Sequence, residues 1–464
     1  MLGGIADSDY LGPENSVAEM ANCDIHSEPG VIKCNQRLQK DSGNTVNEFL
    51  RAKAPCSNGS TYFFGESGGI YERDGEFGNW HSHGRVRPGS GSAKVMAARE
   101  YDGYIYYSME NRLGRIAIPG QGGSWDGRDD DFATFDNGDD TYHPMHIVNQ
   151  VLYIGDAHHV AQVDAGTFSG NALDIKQPLR ISALHNIDTD LLVGTYVSHN
   201  VVKSEIIRWD TYSESYTLSD PIEEAGINAF LQGDNIIWVS AGFKGNIYLF
   251  NGVQLVHERK IKGDWTAHNE AKVLPEAVAN FNSMPLFGLS QVFNSPAPLG
   301  IYSYHRSDVK YPRVLNLEYT ISTGNRHLIE IGAIAAIGPS EFLVTWKDVN
   351  NQLEVKYGVD ILDLTHKATA YFTTRNLLID RDEQNNYGLV HANYRQKHGA
   401  INIHVSKNHG NFVLAPSHQD TINLKQTTDN DIGPANVVKT KFEMVPSGNN
   451  GSEIEIATNR FNDN

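Results

Sequence analysis

Seven aspartates lie close together in the stretch WDGRDDDFATFDNGDD and could supply oxygen ligands to a hard cation. They are Asp126, Asp129, Asp130, Asp131, Asp136, Asp139 and Asp140. Carboxylate oxygens are the ligands that calcium prefers, but the spacing does not match the DxDxDG loop with its terminal glutamate. Solvated surface charge is the commoner reason for such a run. The sequence therefore offers Asp126, Asp129, Asp130 and Asp131 as a calcium candidate, with solvated charge as the alternative.

Two pairs of histidines could in principle bind a transition metal. His158 and His159 are adjacent in DAHHVAQVD, where a strand would point them to opposite faces, which disfavours a two-histidine metal site. His143 and His146 are three residues apart in HPMH. Because the chain has 19 histidines, chance proximity is expected, and neither pair is assigned as a metal site.

The sequence contains no recognisable catalytic signature. ERDGEFGNW, from Glu72 to Trp80, comes near the Asp-box turn of sialidases, but Trp80 lies six residues after Asp74 and Glu72 stands where a hydroxyl residue is required. The single RWD at Arg208 to Asp210 lacks the recurring Gly-His partner of WD repeats. We therefore expect a non-enzymatic protein without a cofactor.

Composition limits the remaining classes of function. The net charge of -18 over 464 residues disfavours a nucleic-acid-binding surface, because phosphate contacts require clustered Lys and Arg. Cys23, Cys34 and Cys56 form no CxxC pair, so free thiols are expected. The start MLGGIADSDYLG has no signal-peptide pattern, and no run approaches the roughly 20 apolar residues of a membrane span. These features predict a soluble protein made in the cytoplasm.

The elements that position these residues are short strands in hairpins. Residues 233–252, GDNIIWVSAGFKGNIYLFNG, form two apolar stretches joined by the glycine-containing turn GFKGN. Both faces of each stretch carry apolar side chains, as expected of a sheet stacked between neighbours. Trp238, Ile247 and Leu249 are therefore predicted to be buried.

The same hairpin pattern recurs along the chain. Seven units begin near positions 58, 102, 149, 188, 234, 283 and 339, and the last two match the pattern less well. The steps between successive units are therefore 44, 47, 39, 46, 49 and 56 residues. Repeats of about 40–50 residues with four short strands each are typical of β-propeller blades. The sequence predicts an all-β chain with a seven-bladed propeller at residues 46–365, and a pair of β-sandwiches is the alternative.

Two segments lie outside the repeat. Residues 1–45 form an N-terminal arm in which Val31 to Gln36 alternates like a strand, and we predict that it closes the ring by adding an outer strand to the blade near residues 339–365. Residues 366–464 lose the repeat spacing but keep strand patterns, and they predict a C-terminal β-sandwich.

Three features of the chain together resemble virion proteins of tailed bacteriophages. They are the arm with SEPGVIK, the propeller, and a terminal module that runs from ATAYFTTRNLLIDRD to TKFEMVPSGNNGSEIEI. The likeness is greatest to the hub or nozzle type that ends a short tail. It implies a structural virion protein that forms a homo-oligomeric ring with other tail proteins around the DNA channel. An acidic wall that repels DNA is compatible with such a channel.

The competing hypothesis is a propeller that binds or cleaves glycans at a cell surface. A glycosidase of this fold needs two carboxylates about 5–10 Å apart in a concave site. An assembly protein instead needs an extended self-association surface. The geometry of the carboxylates and of the exposed apolar surface therefore distinguishes the assembly hypothesis from the glycan hypothesis.

Overall fold

The computed structural model of the chain contains strands and no α-helix in the residues that it describes. These residues are 4–6, 16–28, 30–42, 45–86, 93–118, 127–136, 142–198, 201–233, 236–263, 270–291, 299–306, 313–323, 328–349, 353–378, 387–396, 399–414, 425–429, 437–451 and 453–461. Among them, no helix is long and apolar enough to span a membrane.

The strands are numbered in chain order. The first twenty are β1 (Glu19–Ala21), β2 (Cys23–Asp24), β3 (Ile32–Cys34), β4 (Gln36–Lys40), β5 (Leu50–Pro55), β6 (Thr61–Gly65), β7 (Gly69–Arg73), β8 (Trp80–Arg85), β9 (Ala97–Tyr101), β10 (Tyr104–Ser108), β11 (Arg112–Ala117), β12 (Asp129–Thr134), β13 (Met145–Val148), β14 (Val151–Asp156), β15 (His159–Asp164), β16 (Thr167–Asp174), β17 (Arg180–Ile187), β18 (Asp190–Tyr196), β19 (Ser204–Trp209) and β20 (Leu218–Ile222).

The remaining strands are β21 (Ile227–Gly233), β22 (Ile236–Ala241), β23 (Asn246–Phe250), β24 (Leu255–Lys260), β25 (Ala271–Phe281), β26 (Met284–Gln291), β27 (Gly300–His305), β28 (Val314–Tyr319), β29 (Leu328–Ala336), β30 (Phe342–Val349), β31 (Val355–Lys367), β32 (Ala370–Thr373), β33 (Leu377–Leu378), β34 (Tyr387–Gln396), β35 (Ala400–Lys407), β36 (Val413–Leu414), β37 (Lys425–Asp429), β38 (Val437–Val445) and β39 (Glu453–Phe461).

The chain divides into two compact units, and the larger one is a β-propeller. It comprises Lys40–Leu299 and Thr323–Ile361. Its first five sheets are four-stranded and antiparallel: β5–β8, β9–β12, β13–β16, β17–β20 and β21–β24. The first strands of successive sheets contact one another in the order β5, β9, β13, β17, β21, β25 and β29, and β29 contacts β5. This closed ring of first strands confirms the propeller prediction and excludes the pair of β-sandwiches as an account of this unit.

Apolar cores fill the spaces between successive sheets. Phe64 of β6 stacks on Tyr107 of β10 with ring centroids 5.3 Å apart. A cluster that joins the first and last sheets contains Phe63 and Leu343, both fully buried. Because each sheet buries its two faces only against its neighbours, the ring must close for these cores to form.

The hairpin at 233–252 behaves largely as predicted. Trp238 and Ile247 are buried, and the Trp238 ring lies 4.5 Å from that of Phe287 between centroids. Leu249, which we predicted to be buried, is only half-buried. It is paired opposite Trp238 on one side and opposite Val256 of the outer strand β24 on the other, and Val256 is itself 41% exposed.

A strand from the N-terminal region does join the last blade, but it is not the predicted one. The sheet order is β29-β30-β31-β4, so the added strand is Gln36–Lys40 rather than Val31 to Gln36. The predicted segment instead forms β3, which pairs with β2 and β39. Alternation of side chains identified a strand there, but alternation does not specify the partner of a strand.

The smaller unit consists of Met1–Gln39, Gly300–Ser322 and Leu362–Asn464. One of its sheets follows the order β27-β28-β1-β32-β38-β35-β36, with β33 also paired to β38, and the second follows β2-β3-β39-β34-β37. The packing of these sheets as a C-terminal β-sandwich stays a prediction. The predicted boundaries at 45 and 365 differ from this division, because the N-terminal strands and the hairpin β27–β28 belong to the same compact unit as the C-terminal strands.

Candidate functional site

Charged side chains from separate blades meet inside the ring of the propeller. The guanidinium of Arg99 on β9 forms two hydrogen bonds of 2.9 Å to the carboxylate of Glu276 on β25. These two strands are not neighbours in the ring, so the ion pair reaches across its centre. We call Lys53, Arg99, His146, His185 and Glu276 the axial cluster.

Lys53 ties three first strands together. Its ammonium donates hydrogen bonds to the backbone carbonyls of Glu276 (3.1 Å), Val278 (2.7 Å) and Ile334. β25 and β29 both have register shifts at these positions, which free carbonyl groups from strand pairing. An ammonium has three donors, so it satisfies all three carbonyls at once. Burial is the main cause that lowers the pKa of Lys53 to about 8; the charge of Glu276 opposes this shift and the charge of Arg99 adds to it.

Two histidines of the axial cluster are kept neutral. Their rings lie 4.9 Å apart between centroids. Nε2 of His146 lies 2.8 Å from the Asn186 side-chain oxygen, and burial lowers the pKa of His146 to about 4. Burial, together with His146 and Arg99, lowers the pKa of His185 to about 3. Protonating His185 would place a new charge near His146 and Arg99, both of which lower its pKa.

The axial cluster is suited to holding the ring together rather than to catalysis. Its one carboxylate, Glu276, is already neutralised by Arg99. The adjoining cavity, lined by residues including Arg51, Ser182 and Glu276, has a volume of about 20 Å³. That volume accommodates about one water molecule. A substrate of sugar size does not fit into this cavity.

A larger cleft lies on the outer part of the propeller. It has a volume of about 440 Å³, and its lining includes Asp220, Glu223, Tyr248, Val253 and Leu255. We call it the blade groove. Its size falls within the range of ligand sites. The groove combines acidic groups with apolar surface, since the Val253 side chain is 80% exposed.

The predicted calcium ligands do not converge in the described residues. Asp130 accepts hydrogen bonds from Arg128, at 2.8 and 2.7 Å, and from the hydroxyl of Tyr107. Asp131 pairs with Arg112. Asp129 accepts a hydrogen bond of 3.2 Å from the backbone N–H of Asp131. Asp126 lies outside the described residues. Arginines therefore hold two of the four carboxylates, and strand alternation turns Asp130 away from its neighbours.

The other motifs have structural positions. His143 and His146 do not face one shared point, because the two ring nitrogens of His143 lie 2.8 Å from the carbonyl oxygens of Gly155 and Glu110, whereas His146 belongs to the axial cluster. Asp74 caps the β7–β8 turn by accepting hydrogen bonds from the backbone N–H groups of Glu76 and Phe77. That is a turn-forming role and not a catalytic one.

In the smaller unit, a buried carboxylate site gathers His26, Asn35, Ser303 and Glu318. Glu318 accepts hydrogen bonds from Ser303 (2.6 Å) and Asn35 (2.8 Å) and lies 3.1 Å from Nε2 of His26. Burial opposes ionisation of Glu318, but these partners, chiefly His26, outweigh it and lower its pKa. Burial likewise opposes protonation of His26, but Glu318 outweighs it and raises the pKa.

The buried carboxylate site is not arranged as a catalytic triad. The same His26 nitrogen, Nε2, faces both Ser303 (3.4 Å) and Glu318. A triad needs the acid on the opposite ring nitrogen, so that the histidine can accept the serine proton. Ser303 is also completely buried. This geometry supports a structural ion pair.

Sequence reasoning missed both polar sites. The three charged members of the axial cluster come from distant stretches, RAKAP, AAREY and LPEAV, and only the ring brings them together. A signal was present, because each of these charged residues lies next to alanine a few positions before a repeat unit that begins near position 58, 102 or 283. A charge on an innermost strand requires a partner across the ring.

Comparisons with known proteins do not assign this chain to a family. No family model matches it, and no curated protein is similar in sequence. Among solved structures, the RRP9 WD40 repeats share 11% identity with a TM-score of 0.49, covering 70% of this chain and 99% of that one. The designed protein Ika8 shares 15% (TM-score 0.42, 71% and 99%), and the Dos1 propeller 9% (TM-score 0.41, 70% and 93%). The fold assignment rests on the strand pairing described above, and these likenesses carry no functional conclusion.

Proposed function

We propose that this chain is a non-catalytic structural protein that assembles with further copies of itself. The observation that carries the proposal is the edge strand β36 of the smaller unit. In the described residues, β36 is the last strand of its sheet and pairs only with β35. Phe412, Val413 and Leu414 are 39%, 68% and 53% exposed.

An exposed apolar edge strand is a template for pairing with another chain. Its unpaired backbone groups can bond to a strand of a neighbour, and the apolar side chains lose contact with water when that strand arrives. Natural monomers usually protect such edges with charges or prolines. The three consecutive residues Phe412 to Leu414 are apolar, and none of them is a charged residue or a proline.

The axial cluster supports the same proposal from the larger unit. Lys53, Arg99 and Glu276 occupy the centre of the ring. Among the described residues, the centre of the propeller therefore does not form a funnel with two free carboxylates. A DNA channel would then lie between subunits of a ring and not along the axis of one propeller.

The resemblance to tailed-phage tail proteins gives this assembly a specific setting. We propose a hub, nozzle or adaptor of a phage virion, made in the host cytoplasm and incorporated into the tail with other tail proteins. Its net charge of -18 favours sliding contact with DNA over binding to it. The proposed protein carries no cofactor and does not bind nucleic acid sequence-specifically.

The self-association step is tested by sedimentation of the purified chain. We expect an oligomer for the natural sequence, with an interface above about 1,000 Å² per subunit, and a folded monomer for Val413→Lys with Leu414→Lys. Val253→Lys, at a valine of the blade groove that is 80% exposed against 68% for Val413, is the matched control and should leave the oligomer intact. An oligomer that survives the double substitution, or a natural chain that stays monomeric, contradicts the proposal.

A second candidate function, glycan binding, is favoured by the blade groove. Asp220 and Glu223 could accept hydrogen bonds from sugar hydroxyls, and the Tyr248 ring offers an apolar face for a sugar ring. Screening the chain on a glycan array tests it. Binding that is lost in Asp220→Asn with Glu223→Gln, and retained in Val413→Lys, would favour the glycan function over the structural one.

A further inference from the structure

A cluster of three potential metal ligands lies at one end of the third blade. His158, His159 and Asp174 place one ligand atom each within 4.8 Å of one another. Nε2 of His159 lies 2.8 Å from Oδ1 of Asp174. This is the only grouping of three or more histidine, cysteine or carboxylate ligands found among the residues that the structure describes.

The turn before β15 explains why two adjacent histidines face the same point. β14 ends at Asp156 and β15 begins at His159, and these two residues pair with each other. Ala157 and His158 are therefore the two central residues of a tight hairpin turn, with Ala157 at a φ of 52°. The alternation rule applies only within a strand. Our expectation that His158 and His159 point apart was wrong because His158 lies in the turn, and the two rings lie 4.2 Å apart between centroids.

The third ligand is delivered by the outer strand of the blade. Asp174, the last residue of β16, pairs directly with His159. The next residue continues the contact, since Ile175 donates its backbone N–H to the carbonyl of His158 at 2.9 Å. Backbone pairing thus fixes all three ligands on one end of the same sheet.

We propose that His158, His159 and Asp174 form a binding site for a divalent transition metal of the zinc class. Two imidazoles and one carboxylate are a donor set that zinc accepts, with bonds of about 2.0–2.2 Å. Two ligand atoms on a tetrahedral zinc lie about 3.3 Å apart. The three ligand atoms lie within 4.8 Å of one another, and rotation of their side chains would bring them to that spacing around an ion.

The environment of the cluster leaves room for the ion and for a further ligand. The side chain of Asp174 is 64% exposed and that of His159 is 17% exposed, so the ion can enter from solvent on the side of Asp174. The Gln177 side-chain amide lies 3.2 Å from Nε2 of His158. Gln177 holds the ring of His158 near the cluster, and a water molecule completes the coordination.

The histidines of β8 provide a matched comparison. His81 and His83 also lie close together, with ring centroids 6.5 Å apart, and each has a carboxylate nearby: Asp74 at 4.0 Å and Glu72 at 2.8 Å. Each pairs with a different carboxylate, so the two histidines do not converge with one shared acid. A double substitution there removes the same number of histidines without touching the proposed site.

The test is calorimetric titration of Zn²⁺ into the full chain after chelator treatment and dialysis. We expect one site per chain, weakened more than about tenfold by His158→Ala, His159→Ala or the exposed Asp174→Asn, since even the loss of an outer-shell partner costs about 10- to 100-fold. His81→Ala with His83→Ala should retain the site. Melting of each metal-free variant checks that the fold is intact. Co²⁺ should give tetrahedral absorption bands in the natural chain and not in Asp174→Asn.

Two results would overturn the site. One is natural-sequence protein that binds Zn²⁺ no more tightly than folded Asp174→Asn. The other is loss of binding in the His81 and His83 double variant with retention in His159→Ala. Neither result depends on whether the chain self-associates, because Val413→Lys with Leu414→Lys should bind zinc as the natural sequence does.

Discussion

The two units each bury histidines, but they treat the charge of the imidazole in opposite ways. In the smaller unit, His26 lies 3.1 Å from the buried carboxylate of Glu318, and its pKa is raised. In the larger unit, His146 and His185 lie beside each other and near Arg99, and burial lowers their pKa values to about 4 and about 3. Burial opposes protonation in both units. Only a carboxylate at hydrogen-bonding distance outweighs it.

The largest expected effect comes from removing the carboxylate that distinguishes the two sites. Glu318→Ala leaves His26, Asn35 and Ser303 buried without their common acceptor, and we expect a loss of about 3–5 kcal/mol in the stability of the smaller unit. Hydrogen exchange of peptides from β1, β28 and β32 measures it. Glu28→Ala, which removes a partly exposed partner of Lys33 in the same unit, should cost at most about 1 kcal/mol. Equal losses in the two variants would contradict the role of Glu318.

The second-largest expected effect is a loss of stability of the larger unit at acidic pH. The folded pKa values of His146 and His185 are lowered, so between pH 6.5 and about 4 the unfolded chain binds more protons than the folded one, and stability falls as pH falls. At pH 5 the loss is roughly 2 kcal/mol for each histidine. Denaturant unfolding followed by tryptophan fluorescence isolates this unit, because all six tryptophans lie in its ranges.

A substitution sharpens this pH prediction. His185→Phe removes a titrating group whose Nε2 has no hydrogen-bond partner among the described residues and whose ring stacks on Phe230. It should reduce the loss between pH 7 and pH 5 while changing stability at pH 7 only modestly. His81→Phe, at a side chain that is 53% exposed, is the control and should leave the pH dependence unchanged. Unaltered acid sensitivity in His185→Phe would mean that other groups titrate.

The smallest effect is expected on the alkaline side, and it belongs to the smaller unit. The pKa of His26 is raised in the folded state, so its contribution is fully present below the unfolded value of 6.5 and is lost as pH rises through the folded value. Hydrogen exchange corrected for intrinsic rates should therefore show weaker protection of β28 at pH 9 than at pH 6. The larger unit should show no such loss from His146 or His185, which are neutral throughout that range. Protection of β28 that rises toward pH 9 would contradict the His26–Glu318 pair.

The sequence predicted the repeated hairpins well, because apolar side chains on both faces and glycine-rich turns are local features. Partners of strands were less predictable. The segment from Val31 reads as a strand whichever sheet it joins, and the closing strand Gln36–Lys40 carries a weaker pattern, with only Leu38 buried. The hairpin β27–β28 lies within the sixth repeat in sequence, which begins near position 283, yet it belongs to the same compact unit as the C-terminal strands.

The functional residues were the least predictable part. Lys53, Arg99 and Glu276 meet only because the ring brings β5, β9 and β25 together, and no local pattern encodes that contact. For His158 and His159 the local pattern was misleading. His158 lies in a turn and not in a strand, and its side chain therefore does not follow the alternation of strand side chains. The position of a turn must therefore be known before adjacent histidines can be judged as ligands.

The central proposal is that this chain is a structural component of a virion. Quantitative mass spectrometry of particles purified from the cells that make the chain tests it most directly. The account predicts the chain in those particles at a fixed whole-number ratio to the capsid subunits, and loss of the chain from particles when Val413→Lys and Leu414→Lys are introduced together. A chain absent from particles that instead cleaves glycans, with activity lost in Asp220→Asn with Glu223→Gln, would contradict it.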